Sequence, residues 1–255
     1  MPMRAEFLRR LRARDILVGT FIKLRDPGIV EILGLAGFDF AILDAEHAAF
    51  DRSDIAVMAM AARAARLPLL VRIPAASGSW IATALDAGCA GIMAPQVPTA
   101  DQARGLSRAL RYGAGGRGFS PSTPAAEYGG RGIAGHLAKA AEECALICQI
   151  EDEDGVTNAR TIADVDGVDG LLLGPVDLAV SMGEVDPGAP RVADLCRQTI
   201  TAGAAANMSA GLFLGDLSRR AEWQQAGATL FVLGSDQAFL AGAAGSALAT
   251  FRQAD

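Results

Sequence analysis

The sequence predicts a single (β/α)8 TIM barrel over residues 1–255, and three observations carry that prediction. Eight short apolar runs recur along the chain, helical stretches separate them, and no further set of elements suggests a second domain. A length of 255 residues suits one such barrel and can bury a full core without disulfides or a structural metal.

The elements follow in order. Residues 1–15, MPMRAEFLRRLRARD, are basic and amphipathic. They resemble a transit sequence, but acidic Glu6 and the direct run into an apolar stretch point instead to a surface helix covering one mouth of the barrel. Strands are expected at ILVGTFIK (16–23), DFAILDA (39–45), LPLLVRI (67–73) and AGIMAP (90–95). Four more are expected at CALICQIE (144–151), VDGLLLG (168–174), AGLFLG (210–215) and TLFVLG (229–234). Each is apolar throughout, as parallel strands covered on both faces should be. Helices are expected over 53–65, 77–87, 99–110 and 191–206. In LAGFDF, LDAGCAGI and QAGATLFV a glycine ends a helix just before the next strand.

Residues 113–132, GAGGRGFSPSTPAAEYGGRG, break the rhythm and predict a long loop, functional or at a subunit contact. Gly113, Gly115 and Gly118 there match Gly-x-Gly-x-x-Gly. A dinucleotide site needs a strand before that motif and a helix after it. Here a helix precedes and FSPSTP follows, so the match is rejected.

Composition narrows the partners. A net charge of −6 offers no basic surface for nucleic acid. No apolar run approaches the length of a membrane span, so a cytoplasmic protein without a membrane partner is expected. Cys144 and Cys148 stand at opposite ends of one predicted strand, too far apart for one disulfide or one metal. With Cys89 and Cys196 they are expected to be small apolar residues in a reducing compartment.

Barrel chemistry gathers at the C-terminal ends of the strands. The polar residues there are Asp44, Glu46 and His47 after the second strand, and Arg72 at the third. Gln149 and Glu151 follow at the fifth, with Gly174, Pro175 and Asp177 at the sixth. His47 follows two acids at a productive end, where a proton carrier with a pKa near neutrality is useful. His136, the other histidine, falls in the helix IAGHLAKAAEE and is expected to be solvated. Glu151 and Asp177, at neighbouring strand ends, either share a hard divalent cation with an oxo acid or cap the helices that follow. Arg72 either pairs with a strand-end acid or meets an anionic ligand. Lys23 belongs to the first strand and Lys139 to a helix, so no lysine is expected at the end of a central strand to form a Schiff base.

Together LAGFDFAILDAEHA, VRIP, LDAGCAGIMAPQV, GGRG, QIE and VDGLLLGPVDLA resemble the HpcH/HpaI aldolase family of class II hydroxyketoacid aldolases, in order from about residue 17 to 240. The resemblance implies a barrel of the phosphoenolpyruvate/pyruvate type. It also implies a divalent-metal-dependent aldolase that joins or cleaves pyruvate or hydroxypyruvate and an aldehyde, with no organic cofactor. Glu151 of QIE and Asp177 of GPVDL match the carboxylate ligands of Mg2+, Mn2+ or Co2+. His47 matches the catalytic base, Arg72 the residue stabilising the enolate, and Asp86 of LDAG the acid that raises the histidine's basicity. Gln149, with the backbone at Val176 and Asp177, matches substrate-binding positions. Family members are hexamers built as trimers of dimers, often with an exchanged terminal helix. The first strand, GTFIKLRDP, departs from relatives that carry Trp and small polar residues near the pocket.

Two rival functions are considered. An acyl-CoA lyase of the citrate or malyl-CoA type would need additional structure and basic residues for its nucleotide. A non-catalytic barrel that binds oxo acids would not need His47, Arg72, Glu151 and Asp177 together. Because Asp86 is expected at the far end of a helix running antiparallel to the strands, it is expected to meet His47 only across a subunit boundary.

Overall fold

Each strand lies between two apolar environments, and its residues divide between them with a period of two. The computed structural model describes residues 3–75 and 78–253. Positions 1–2 of the expected N-terminal helix, Ser77 of the expected helix 77–87, and the last two residues fall outside it. The strands are β1 (Leu17–Ile22), β2 (Phe40–Asp44), β3 (Leu69–Arg72), β4 (Gly91–Ala94), β5 (Ala145–Ile150), β6 (Gly170–Leu173), β7 (Ser209–Phe213) and β8 (Leu230–Ser235). All neighbours pair in parallel, and β8 returns to β1 to close the barrel. Phe40, Ile42, Leu70, Ile147, Leu172 and Leu230 fill the interior. Ala41, Leu43, Leu69, Val71, Leu146, Leu171 and Leu173 face the helices.

Helix α1 (Met3–Arg12) packs at the lower mouth. Phe7, Leu8 and Leu11 join the interior cluster, and Phe7 packs on Phe40 with ring centroids 5.4 Å apart. Its basic residues meet acids at the starts of strands. Arg10 pairs with Asp39 at 2.7 Å and Arg12 with Asp169 at 2.8 Å.

Around the barrel lie α2 (Pro27–Leu35), α3 (Arg52–Ala65), α4 (Gly78–Ala87), α5 (Ala100–Leu110), α6 (Gly132–Glu143), α7 (Glu153–Ala163), α8 (Pro175–Ser181), α9 (Pro190–Ala205), α10 (Arg220–Gln225) and α11 (Asp236–Arg252). Several start on side-chain caps, among them Asp26, Asp51, Thr99, Asp152 and Ser235. The three expected helix-ending glycines, Gly37, Gly88 and Gly227, all adopt the left-handed backbone. The segment 113–132 contains a short 3-10 turn, Pro124–Gly129, and follows α5, so it lies towards the lower end of the barrel. No helix among the described residues is long and apolar enough to cross a membrane. Cys89, Cys148 and Cys196 are buried, Cys144 is half-buried, and all four are free thiols.

Candidate active site

The inner face of each strand runs upward until the apolar series gives way to polar residues. Leu17 and Phe21 lead to Lys23, Phe40 and Ile42 to Asp44, and Leu70 to Arg72. Ala145 and Ile147 lead to Gln149 and then Glu151. Above them opens a cavity of about 310 Å3, bordered by Lys23, His47, Arg72, Gln149, Val176 and Asp177. A larger groove of about 900 Å3 lies at the lower end, but its arginines are spent on its own acids, Arg12 on Asp169 and Arg111 on Asp166.

Asp44 is the buried hub of the cavity floor. The register places it directly beside Arg72, which donates from Nε to Oδ1 at 2.9 Å and from Nη2 to Oδ2 at 2.7 Å. The backbone N–H of His47 also donates to Oδ1 at 3.1 Å, and Lys23 Nζ lies 3.2 Å from Oδ2. Burial pushes this carboxyl up, but the bonds and charge of Arg72, His47 and Lys23 prevail and hold it below its ordinary value. Of the two alternatives for Arg72, the structure shows the pairing with a strand-end acid, and the residue also borders the cavity. Its guanidinium lies over the Phe21 ring, 4.6 Å from the centroid.

Glu46 and His47 stand at the turn after β2. Glu46 Oε2 lies 3.4 Å from Arg72 Nε and 3.8 Å from His47 Nε2, yet this buried oxygen accepts no hydrogen bond. Burial, with the charges of Asp44 and Asp177, raises the Glu46 pKa against the pull of Arg72 and His47. The imidazole of His47 is half-exposed at the rim.

Glu151 and Asp177 approach each other across Gly174. A Cβ built on Gly174 would lie 3.0 Å from Asp177 Oδ2 and 3.1 Å from Glu151 Oε1, so the absent side chain leaves room for both carboxylates. Neither acid caps its helix: Asp152 caps α7, and Gly174 occupies the N-cap of α8 without any side-chain bond. Glu151 instead accepts from the backbone of Gln96 at 2.8 Å and from Gln149 Nε2 at 2.8 Å. Burial is the main reason its pKa rises to about 7, and the charges of Asp177 and Glu46 add to it against the Gln96 bond. Gln96 was not anticipated. It adopts a left-handed φ of 51° after β4, and nothing in the phrase APQV announces that conformation.

These features fit a divalent cation. Among the described residues no three His, Cys, Asp or Glu side chains form a ready-made cage. Two carboxylates that repel each other, with the buried and unbonded Oε1 of Gln149 nearby, suit an ion completed by water and a chelating ligand.

Two expectations change with the structure. His136 is buried, not solvated: it is 2% exposed, and its Nε2 lies 2.9 Å from the Tyr112 hydroxyl. Phe119 and Tyr112 cover its ring, and Phe119 comes from the 113–132 loop. Lys23 is not confined within a strand. β1 ends at Ile22, which brings Lys23 to the productive end beside Asp44. Asp86 lies in the last turn of α4, near the start of β3, where Ala90 N bonds Leu69 O. Its partner in this chain is Arg117, whose Nη1 donates to it at 2.7 Å. Asp86 and His47 thus lie at opposite ends of the barrel.

Comparison with known proteins matches the family described as HpcH/HpaI aldolase/citrate lyase over residues 17–243. A hydroxypyruvate/pyruvate aldolase of Roseovarius nubinhibens is 32% identical over 250 residues, covering 98% of this chain and 97% of that protein. A 5-keto-4-deoxy-D-glucarate aldolase of Escherichia coli is 32% identical over 253 residues, with 97% of each covered. Among solved structures, an HpcH/HpaI aldolase/citrate lyase family protein from Burkholderia cenocepacia superposes with a TM-score of 0.91. It is 33% identical, and the match covers 97% of this chain and 99% of that one.

Proposed function

The chain belongs to the HpcH/HpaI aldolase/citrate lyase family, and from that premise we propose that it is a carbon–carbon lyase of the class II pyruvate aldolase kind. It cleaves 4-hydroxy-2-oxo acids reversibly into pyruvate, or hydroxypyruvate, and an aldehyde. The observation that carries this reading is the pair of carboxylates meeting over Gly174 beside the anchored guanidinium of Arg72.

Glu151 and Asp177 would hold Mg2+, Mn2+ or Co2+, which when bound supplies Lewis-acid polarisation of the 2-oxo carbonyl. The chain's own groups do the rest. Asp44 holds Nε and Nη2 of Arg72, which leaves Nη1 for the substrate. In cleavage His47 takes the proton of the C4 hydroxyl through a water, and the electrons of the C3–C4 bond pass into the C2–C3 enolate. The aldehyde departs, and a proton returned to C3 gives pyruvate. Arg72 donates to the enolate oxygen where charge develops, in a setting that needs no reorganisation during the step. The Gln149 side chain and the backbone at Val176 and Asp177 bind the oxo acid.

Asp86 would serve His47 from a second copy of the chain, in a homo-hexamer built as a trimer of dimers. The acidic surface and small-molecule cavity suit a cytoplasmic enzyme without nucleic-acid or membrane partners. Incubation with pyruvate in D2O tests the reaction. Exchange of the C3 hydrogens is expected, abolished by chelation and restored by Mg2+ or Mn2+. No exchange and no cleavage of 4-hydroxy-2-oxo acids with either ion would overturn the proposal.

A further inference from the structure

The cavity wall has two unlike halves. β2, β3, β5 and β6 bring the ionisable groups of the reaction. β1, β7, β8 and the start of α11 contribute Phe21, Phe213, Gly234, Ser235 and Ala238, and a single charged lining residue, Lys23.

Lys23 is held at both ends. Its backbone N–H donates to Asp236 at 2.9 Å, and that of Leu24 donates to the same carboxylate at 2.9 Å. Asp236 is 5% exposed, so the turn after β1 is fixed to a buried acid. The ammonium is steadied 3.2 Å from Asp44 Oδ2. Asp44 also receives both arms of a bidentate guanidinium, so Lys23 is not its sole counter-charge. An ammonium carries three donors. Asp44 occupies one, and the side chain remains 27% exposed where it lines the cavity beside an otherwise uncharged wall.

We propose that Lys23 is the specificity-determining residue for the aldehyde partner, seating a carboxylate at the aldehyde's far end. This rests on the aldolase reading above and adds to it the residue that selects the acceptor. Lys23 and Arg72 touch the same oxygen of Asp44, so the two cations lie close together. The acceptor that fits is a short aldehyde acid with its carboxylate on Lys23. Phe21 and Phe213 cover its chain.

The test uses pyruvate as donor with two matched acceptors, succinic semialdehyde and butanal. The ratio of their kcat/KM values, charged over neutral, is measured for the wild type, Lys23→Met and Lys23→Arg. Lys23→Gln replaces the methionine variant if that one fails to fold. Removing the ammonium is expected to lower the ratio at least about tenfold, chiefly through the KM of the acid, with Lys23→Arg recovering most of it. A smaller fall overturns the proposal. That includes the case in which both aldehydes and pyruvate proton exchange decline together, because Lys23 would then merely support Asp44 and Arg72. A wild type that neither exchanges pyruvate protons nor cleaves 4-hydroxy-2-oxo acids defeats the aldolase reading itself, and the assignment of Lys23 falls with it.

Discussion

Glu151 is a carboxyl held near neutrality by its surroundings. Its pKa rises from an ordinary 4.5 to about 7, first through burial and then through the nearby acids. The metal-free native state therefore keeps a proton that the unfolded chain releases at lower pH. That contribution favours the fold at low pH and is lost as pH rises from 4.5 to about 7. Above that window the ionised group costs on the order of 3 kcal/mol. A cation between Glu151 and Asp177 competes with the same proton, so metal affinity should tighten as pH climbs through neutrality. Urea unfolding of chelated protein between pH 5 and 7.5 is expected to show stability falling more steeply for the wild type than for Glu151→Gln. Added Mg2+ should restore the wild type alone. Equal slopes in the two proteins would remove Glu151 from this role.

Among the elements, α1 performs a task separable from the chemistry. Leu8 is 1% exposed, inside the cluster that plugs the lower mouth. Leu8→Ala should cost about 3 kcal/mol of stability, while kcat/KM at a temperature where the variant stays folded remains within about twofold of wild type. A large loss of activity in fully folded protein would show that the two ends of the barrel are coupled. The helix was legible in the sequence because its basic and apolar residues segregate, and the strands because both of their faces are apolar. Asp44, Arg72, Gln149 and Glu151 were legible because each stands at the end of such a run. Lys23 stood there too: the alternation Leu17, Phe21, Lys23 points it inward, and taking the strand one residue too long concealed this. His136 could not be placed from its own helix, because the cover that buries it comes from Tyr112 and from a loop without periodicity. Gln96 was hidden for a different reason, since its contribution is a backbone N–H and a left-handed φ.

At the scale of the whole molecule, α11 lies almost entirely in solvent, with Phe239, Leu240, Leu248 and Phe251 exposed along it. Asp86 sits at the barrel end away from His47 and keeps a 31% exposed side chain despite its bond to Arg117. Both features suit a chain completed by other copies of itself. Mixing inactive His47→Ala with inactive Asp86→Ala protein should return part of the activity, since some assembled sites then hold both native residues. Demonstrated subunit exchange without rescue would remove any such pairing. The divided wall of the cavity bears on how such a protein changes over time. The strands that carry the reactive groups leave little room for alteration, and Phe21 of β1 lies against Arg72, whereas β7 and β8 bring none of those groups to the cavity. A descendant could thus acquire a new aldehyde by drift along those two strands while its inherited reaction continued uninterrupted.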